Sequence, residues 1–234
     1  MARPIETYLI LDTETGGSLA NPIVYDFGYI IINRKGEELA RFSSAVKEII
    51  TDPKLMMNAF YAKKIFSFYI PKIAKGDLEL NSWSDIVAQL LADVEKYNVK
   101  TICAYNAKFD CRAIKETNSF LGFPPVFKSP IRILCLWEAA CETLMNNRNF
   151  KKVARDLGWV TAKGNIRTSA EMAYRYVSKD YDFIESHTAI EDAEIETVLL
   201  ETMLNKKVKL PYNFSGRTWQ LVNKKAKNEQ ECRA

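Results

Sequence analysis

Five side chains that can bind a metal ion or move a proton stand in three short segments of the sequence. LDTET contains Asp12 and Glu14, YNAKFD contains Asp110, and ESHTAIEDAE contains His187 and Asp192. His187 is the single histidine among 234 residues, and histidine is the side chain whose charge changes most readily near neutral pH. Carboxylates with one histidine suit metal-assisted hydrolysis, provided that the fold brings the three segments together.

Asp12 and Glu14 are expected on one face of the first strand. Side chains alternate along a strand, so residues two apart point the same way. Two carboxylates this close repel each other and raise each other's pKa, and a bound divalent cation removes that cost. The alternative is a solvated strand end that runs into a turn at Gly16 and Gly17.

Asn106 and Asp110 are four residues apart on a predicted helix that follows the strand TICAY. They therefore share a helix face near the carboxyl end of that strand. The alternative is a capping asparagine followed by a first-turn aspartate that complements the helix dipole.

The sequence TAIE matches a capping box, with Thr188 as the N-cap and Glu191 as its partner. In a continuous helix, five residues would place His187 and Asp192 about 140° apart. A helix that begins after Thr188 lets the imidazole turn back towards Asp192.

Hard oxygen ligands without a soft ligand favour Mg²⁺ or Mn²⁺ over zinc. The four carboxylates of Asp12, Glu14, Asp110 and Asp192 can hold two such ions roughly 4 Å apart, the spacing used for in-line phosphoryl chemistry. A nearby His187 can accept the proton of the attacking water.

The ordered set D-x-E, N-x-x-x-D and H-x-A-x-x-D resembles the DEDDh exonucleases, the DnaQ-like group with an RNase H-like fold, over about residues 7–204. The resemblance implies that Asp12 bridges two Mg²⁺ ions, for which Mn²⁺ substitutes. It implies that Glu14 and Asp192 help to hold the first ion and that Asp110 binds the second. His187 would be the general base in the removal of nucleoside 5′-monophosphates from a 3′ end.

The same resemblance implies that Thr15, Gly16, Gly17 and Asn106 contact the substrate. Family members often carry a second threonine where this chain has Gly16, so it departs from the family where the terminal nucleotide binds. Exonucleases encoded by phages are the members that the sequence resembles most.

The apolar patterns predict one α/β domain at residues 1–210 and a basic C-terminal tail at 211–234. Strands are predicted at TYLIL, IVYDFGYIIIN, GEELARFSSAV and KTICAY, with a hairpin turn at NRKG, and IRILCLWEAACETLM begins as a strand and becomes a helix. Helical patterns begin at Ser84 with Ser82 or Ser84 as cap, and recur at FDCRAIKETNSF and around 149–157, 168–178 and 188–205, whereas 47–81 predicts short helices and loops. The expected fold is an RNase H-like mixed β-sheet, an antiparallel meander plus parallel strands, flanked by helices.

The composition excludes several classes of protein. Apolar residues make up 47% of the chain, enough for a packed core, and the net charge of +4 is compatible with a nucleic-acid partner without indicating one. Five cysteines without a C-x-x-C pair, beside one histidine, do not suit a zinc site and predict reduced thiols in a cytoplasmic protein. The short apolar run near the N-terminus suits neither a signal peptide nor a membrane span, so no membrane partner is expected.

Residues 59–75 interleave aromatic side chains with lysines. The set comprises Phe60, Tyr61, Phe66, Phe68 and Tyr69 with Lys63, Lys64, Lys72 and Lys75. Such a segment suits a surface for single-stranded nucleic acid, with stacked bases and paired phosphates. It equally suits an amphipathic helix whose aromatic side chains belong to the core.

Three functions stay open. They are a 3′–5′ exonuclease on DNA single strands or ends, a 3′–5′ exoribonuclease on short RNA, and a nucleic-acid-binding module without catalysis. The intact set of acids and the single histidine favour an enzyme. The choice between DNA and RNA depends on contacts to the 2′-hydroxyl, which the sequence does not identify, and the oligomeric state is equally open.

Overall fold

The computed structural model describes residues 6–126, 131–212 and 215–223. Its mixed sheet contains β1 (Thr7–Gly17), β2 (Pro22–Asn33), β3 (Glu38–Val46), β4 (Glu79–Asn81), β5 (Thr101–Ala104) and β6 (Arg132–Cys135), in the spatial order β4-β3-β2-β1-β5-β6. The β1–β2 and β2–β3 pairs are antiparallel, and the β3–β4, β1–β5 and β5–β6 pairs are parallel. The predicted α/β fold, with its antiparallel meander and parallel strands, is confirmed.

Helices cover both faces of this sheet. They are α1 (Lys47–Ile50), α2 (Pro53–Met56), α3 (Ala62–Lys64), α4 (Ile70–Lys75), α5 (Trp83–Lys96), α6 (Ala107–Leu121), α7 (Leu136–Ala140), α8 (Arg148–Asp156), α9 (Ala170–Ser178), α10 (Ala189–Asn205) and α11 (Trp219–Asn223). Two five-residue π-helical segments, Ile65–Tyr69 and Cys141–Met145, continue α3 and α7. The predicted helices agree with these bounds, and Ser82 is the cap of α5.

Two strands differ from the prediction. β1 runs on through Gly17 instead of ending near Glu14, because β2 pairs with it as far as Pro22, with a bulge after Glu14. β4 lies in a segment predicted as helices and loops, where three residues add a short parallel edge strand beside β3.

Alternate side chains of β1 enter two separate apolar layers. Tyr8 and Ile10 contact the layer that contains the buried face of α10, including Leu199, Leu200 and Met203. Leu9 and Leu11 contact the opposite layer, to which α5 and α6 contribute Trp83, Ile86, Leu90, Ala113 and Ile114. Helices α10 and α6 therefore approach the carboxyl end of β1 from opposite faces of the sheet.

The start of α10 lies directly against β2 at Gly28. A Cβ atom at this position would lie 2.6 Å from the Ile190 amide nitrogen and 2.7 Å from the Ala189 carbonyl carbon. Gly28 is the register partner of Asp12 on β1. The missing side chain therefore lets the helix reach the strand position beside the first predicted acid.

The segment after residue 210 contributes to the fold where it is described. Within it, α11 places Val222 in the same apolar layer as α10, and Val222 is fully buried. The division at residue 210 stays a prediction, and residues 224–234 of the predicted tail, with Cys232, lie outside the described residues. Among the described residues, Cys103, Cys111, Cys135 and Cys141 are free thiols, and no helix is long and apolar enough to cross a membrane.

Gly28→Ala is expected to lower the free energy of unfolding by about 1–3 kcal/mol, because the added methyl group meets backbone atoms of α10. Urea denaturation measures the loss. Gly16→Ala is the graded control, since its Cβ would lie 3.0 Å from the Leu55 carbonyl oxygen and demands a smaller shift. Equal stability of Gly28→Ala and the parent would contradict the tight docking of α10.

Candidate active site

The acids of β1 lie on the sheet face that α10 covers. Asp12 is opposite Gly28, and Glu14 is opposite Asp26 of β2. Glu14 is 9% exposed and Asp26 is 2% exposed. The alternative of a solvated strand end is therefore wrong, and β1 and β2 together place three carboxyl groups under α10.

Asp110 reaches the same edge of the sheet from the opposite layer. It lies in the first turn of α6 and is 2% exposed, and the Thr13 hydroxyl donates a hydrogen bond of 2.9 Å to its Oδ1. Its place in the first turn of α6 leaves open the alternative that it complements the helix dipole. Asn106 stands at the N-cap position with φ 67° but makes no side-chain capping bond, and it is exposed, so the capping alternative is wrong.

The N-terminus of α10 is capped from β2. Helix α10 begins at Ala189, and the Ala189 amide donates to Asp26 Oδ2 at 3.0 Å, as the Tyr69 hydroxyl does at 2.7 Å. The predicted capping box is wrong in its bonding, because the Thr188 hydroxyl donates to the Glu191 carboxylate instead of accepting from the backbone. The predicted start of the helix after Thr188 is confirmed.

His187 turns back over the start of the helix, as the break predicts. Its Nδ1 atom lies 3.6 Å from Glu185 Oε2 and 4.0 Å from Asp192 Oδ2. The imidazole stacks on the Tyr61 ring, with centroids 4.5 Å apart and planes at 16°. The Lys64 ammonium donates to the His187 carbonyl oxygen at 3.0 Å. These distances from Glu185 and Asp192 identify Nδ1 as the imidazole nitrogen that faces the acids.

Burial raises the pKa of each predicted metal-binding acid. It raises the pKa of Asp12 well above its usual range, assisted by the surrounding carboxylates. Burial and Asp192 raise the pKa of Glu14 to about 9, and burial and nearby acids raise that of Asp192 to about 8. Burial raises the pKa of Asp110 to about 7, against the bond from Thr13. The positive charge of Lys64 lowers the pKa values of Glu14 and Asp192 but is outweighed by burial and the neighbouring acids.

Three further acids at this site were missed by the sequence reasoning. Glu196, four residues after Asp192, is 1% exposed, and its charge helps to raise the pKa of Asp12. Asp26 interrupts the apolar run IVYDFGYIII, and the four-residue spacing marks Glu196, so both left a readable signal. Glu185 could not have been identified in this way, because its position beside His187 depends on the conformation of an irregular loop.

The donor set fits a divalent cation. Glu14, His187 and Asp192 each offer one ligand atom, and these atoms lie within 4.8 Å of one another. The buried oxygens Asp192 Oδ1 and Glu196 Oε2 have no hydrogen-bond partner within the described part of the chain. Unpartnered buried oxygens with raised pKa values are the features that a bound cation would satisfy.

Thr15, Gly16 and Gly17, which follow Glu14 along β1, line a cleft of about 480 Å³ together with Ser18, Leu19, Asn58 and Phe60. Leu19 and Phe60 are 75% and 82% exposed at its walls. The Leu55 carbonyl oxygen would lie 3.0 Å from a Cβ at position 16, so a threonine there would require the Leu55 backbone to shift slightly. That the cleft contacts substrate stays a prediction.

The aromatic and basic segment at 59–75 matches neither single prediction. Tyr69 is buried and bonded to Asp26, whereas Phe60 and Phe66 are about four-fifths exposed, at 82% and 79%. Tyr61 contacts His187 instead of joining the core. The segment therefore contributes to the core through Tyr69, to the candidate site through Tyr61, and to the exposed surface through Phe60 and Phe66.

Without a divalent cation, stability should fall as the pH rises from 6 to 9. A raised pKa in the folded state means that folding binds protons, so the stabilisation is present at low pH and is lost up to about pH 9, the pKa of Glu14. A change of one in a single pKa is worth about 1.4 kcal/mol, or about 3–6 °C for a chain of this size, so we expect a fall of at least about 5 °C.

Thermal melts with EDTA at the two pH values measure this fall. Mg²⁺ or Mn²⁺ should restore much of the melting temperature at pH 9, because a ligand of the folded state stabilises it. Asp192→Asn should flatten the pH dependence, whereas Glu194→Gln, an exposed acid on the same helix, should leave it unchanged. Melting temperatures that rise with pH in EDTA would contradict the raised pKa values of the buried acids.

Solved structures match this fold, although no protein-family model and no curated protein match the sequence. Cell-death related nuclease 4 (CRN-4) matches with a TM-score of 0.54 at 16% identity, covering 88% of this chain and 66% of that chain. The moderately thermophilic exonuclease I from Methylocaldum szegediense matches with 0.55 at 12% identity, covering 93% and 43%. The zinc-bound complex of E. coli exonuclease I with single-stranded DNA matches with 0.54 at 12% identity, covering 92% and 42%.

This chain thus spans about two thirds of the length of CRN-4 and less than half of that of exonuclease I. The comparisons give no support to a phage origin. At 12–16% identity these matches establish only the architecture of the chain. That architecture is the one implied by the order of the acidic motifs in the sequence. The chain has the RNase H-like fold of the DnaQ-like, DEDDh-type exonucleases.

Proposed function

We propose that the protein is a metal-dependent 3′–5′ exonuclease that releases nucleoside 5′-monophosphates from the 3′ end of DNA, from single strands or duplex ends. The observation that carries this proposal is the convergence of Glu14, His187 and Asp192 within 4.8 Å, beside Asp12 and the buried Asp110. The fold shared with nucleases, one of them solved with single-stranded DNA, supports the same function.

The cation would be Mg²⁺, with Mn²⁺ as a substitute, because the acids offer hard oxygen ligands. Glu14 and Asp192 would hold one ion and Asp110 a second, with Asp12 shared between them. Bound there, a divalent cation lowers the pKa of water and offsets charge on the phosphate. In its absence the acids can relieve their repulsion only by holding protons.

The reaction is hydrolysis of the last phosphodiester bond. A water oxygen forms a bond to phosphorus, the bond from phosphorus to the O3′ atom of the preceding nucleotide breaks, and that O3′ takes a proton from solvent. His187 Nδ1, which faces the acids, accepts the proton of the water. Burial lowers the pKa of His187, and Lys64 lowers it further, so the imidazole is neutral and able to accept a proton at pH 7.

The cleft at Thr15, Gly16 and Gly17 would receive the terminal nucleotide. It adjoins the acids along β1, and the exposed side chains of Leu19 and Phe60 offer apolar surface for a base. The exposed Asn106 side chain would contact the strand from the start of α6. Nucleic acid with a free 3′ end is therefore the proposed partner.

Pure protein should shorten 5′-labelled DNA oligonucleotides one nucleotide at a time when Mg²⁺ or Mn²⁺ is present, and EDTA should stop the reaction. Asp12→Ala should remove the activity, since Asp12 would be shared by both ions in this proposal, while the apo protein stays at least as stable as the parent, because the loss of this acid relieves repulsion among the carboxylates. Labelled RNA of the same sequence in parallel tests the nucleic-acid preference. Full turnover by Asp12→Ala or in excess EDTA would refute the metal mechanism.

A circular single strand should survive under the same conditions, because hydrolysis begins at a free 3′ end. A 3′-phosphate should slow the cutting of a linear strand for the same reason. Rapid cutting of the circle would identify an endonuclease, and binding without cutting of any strand would identify a non-catalytic module.

His187→Ala should lower kcat by about 10²- to 10⁴-fold, the contribution typical of a general base. Metal affinity should change little, because the carboxylates hold the ions, and isothermal titration with Mn²⁺ measures it. A variant that turns over like the parent at neutral pH would show that the histidine takes no part in the reaction.

A further inference from the structure

His187 is held in a backbone conformation that is uncommon for residues other than glycine. Its φ is 54°, in the left-handed region where side chains other than glycine meet steric strain. Such strain persists only when surrounding contacts enforce it. The loop that leads to His187, residues 183–188, has no regular secondary structure. Within this loop Glu185 faces the imidazole, and the other contacts that fix the histidine come from elsewhere in the fold.

Two neighbouring side chains of the segment after β3 supply those contacts. The Tyr61 ring lies nearly parallel to the imidazole, with planes at 16° and centroids 4.5 Å apart. The Lys64 ammonium donates to the His187 carbonyl oxygen at 3.0 Å and lies 5.3 Å from the Tyr61 ring centroid. One contact fixes the plane of the imidazole and the other fixes the backbone that carries it.

The orientation that results suits the proposed reaction. With its plane set by Tyr61, the imidazole presents Nδ1 to Glu185 and Asp192 at 3.6 and 4.0 Å. Rotation of the imidazole out of this plane would both break the stack and move Nδ1 away from the acids. Tyr61 contacts the histidine, so it acts through that residue.

We propose that Tyr61, assisted by Lys64, is a positioning residue that holds His187 with Nδ1 towards the acid cluster. The proposal rests on the proposed function, because it assigns the stack a task in proton transfer. It also makes a structural claim that needs no activity to test. The stack should persist in the apo protein in solution.

The single histidine makes a direct measurement possible. In a proton–carbon correlation spectrum of apo protein, the imidazole signals belong to His187 alone, and the Tyr61 ring current should shift its ring protons upfield. Tyr61→Ala should abolish the shift and Tyr61→Phe should keep it. Phe120→Ala, which removes an exposed aromatic side chain of α6, is the matched control and should change nothing. An unshifted parent spectrum would overturn the stack.

Kinetics then test the positioning. Tyr61→Ala should lower kcat at least about 10-fold, but by no more than His187→Ala does, with KM unchanged, and Tyr61→Phe should restore it. In the His187→Ala background, Tyr61→Ala should cause no further loss, because the two residues act as one unit. An equal loss in both backgrounds, or a loss confined to KM, would overturn the proposal in favour of a structural or substrate-stacking role.

The two proposals fail separately. A parent protein without nuclease activity but with the upfield shift would refute the exonuclease and the kinetic role of Tyr61, while leaving the stack itself established. An active parent in which Tyr61→Ala turns over normally would refute the positioning role alone. Lys64→Met and Lys64→Arg extend the test, since only the arginine keeps a donor for the His187 carbonyl.

Discussion

The contact between α10 and β2 at Gly28 is the constraint on which the candidate site depends. Because Gly28 has no side chain, backbone atoms of the helix lie as close as 2.6 Å to the point where a Cβ atom would be. Two residues earlier on β2, the Asp26 carboxylate accepts a hydrogen bond from the Ala189 amide and so fixes the start of the helix. Gly28 and Asp26 are opposite Asp12 and Glu14 in the sheet, so the residues that dock the helix also align its acids with those of β1.

This docking concentrates negative charge where water has little access. Glu14, Asp192 and Asp110 have pKa values raised to about 9, 8 and 7, all with burial as the first cause. The positive end of the α10 dipole and the Lys64 ammonium offset part of this charge, and the pKa values show that they do not offset all of it. Without a bound cation, replacing these acids by uncharged residues would make the folded protein more stable. Their burial is therefore explained if a cation binds among them.

The sequence predicted the fold and the main acids because both leave periodic signals. Apolar runs marked the strands, and D-x-E fixed the shared face of Asp12 and Glu14. The bonds at the start of α10 could not be predicted from local pattern, because Asp26 caps it from 163 positions away and displaces the expected role of Thr188. The same limit applies to Gly16, since the Leu55 carbonyl that a larger residue there would crowd belongs to another segment.

The π-helical turn at Ile65–Tyr69 explains how one short segment touches the site twice. In an α-helix, Lys64 and Tyr69 would point about 140° apart, because they are separated by five residues. A π-turn closes its hydrogen bonds between residues five apart and so brings such positions onto one face. Lys64 then reaches the His187 carbonyl while Tyr69 reaches Asp26, which caps the helix two residues beyond that histidine. The wide turn thereby ties the position of the histidine to the docking of the helix that carries Asp192.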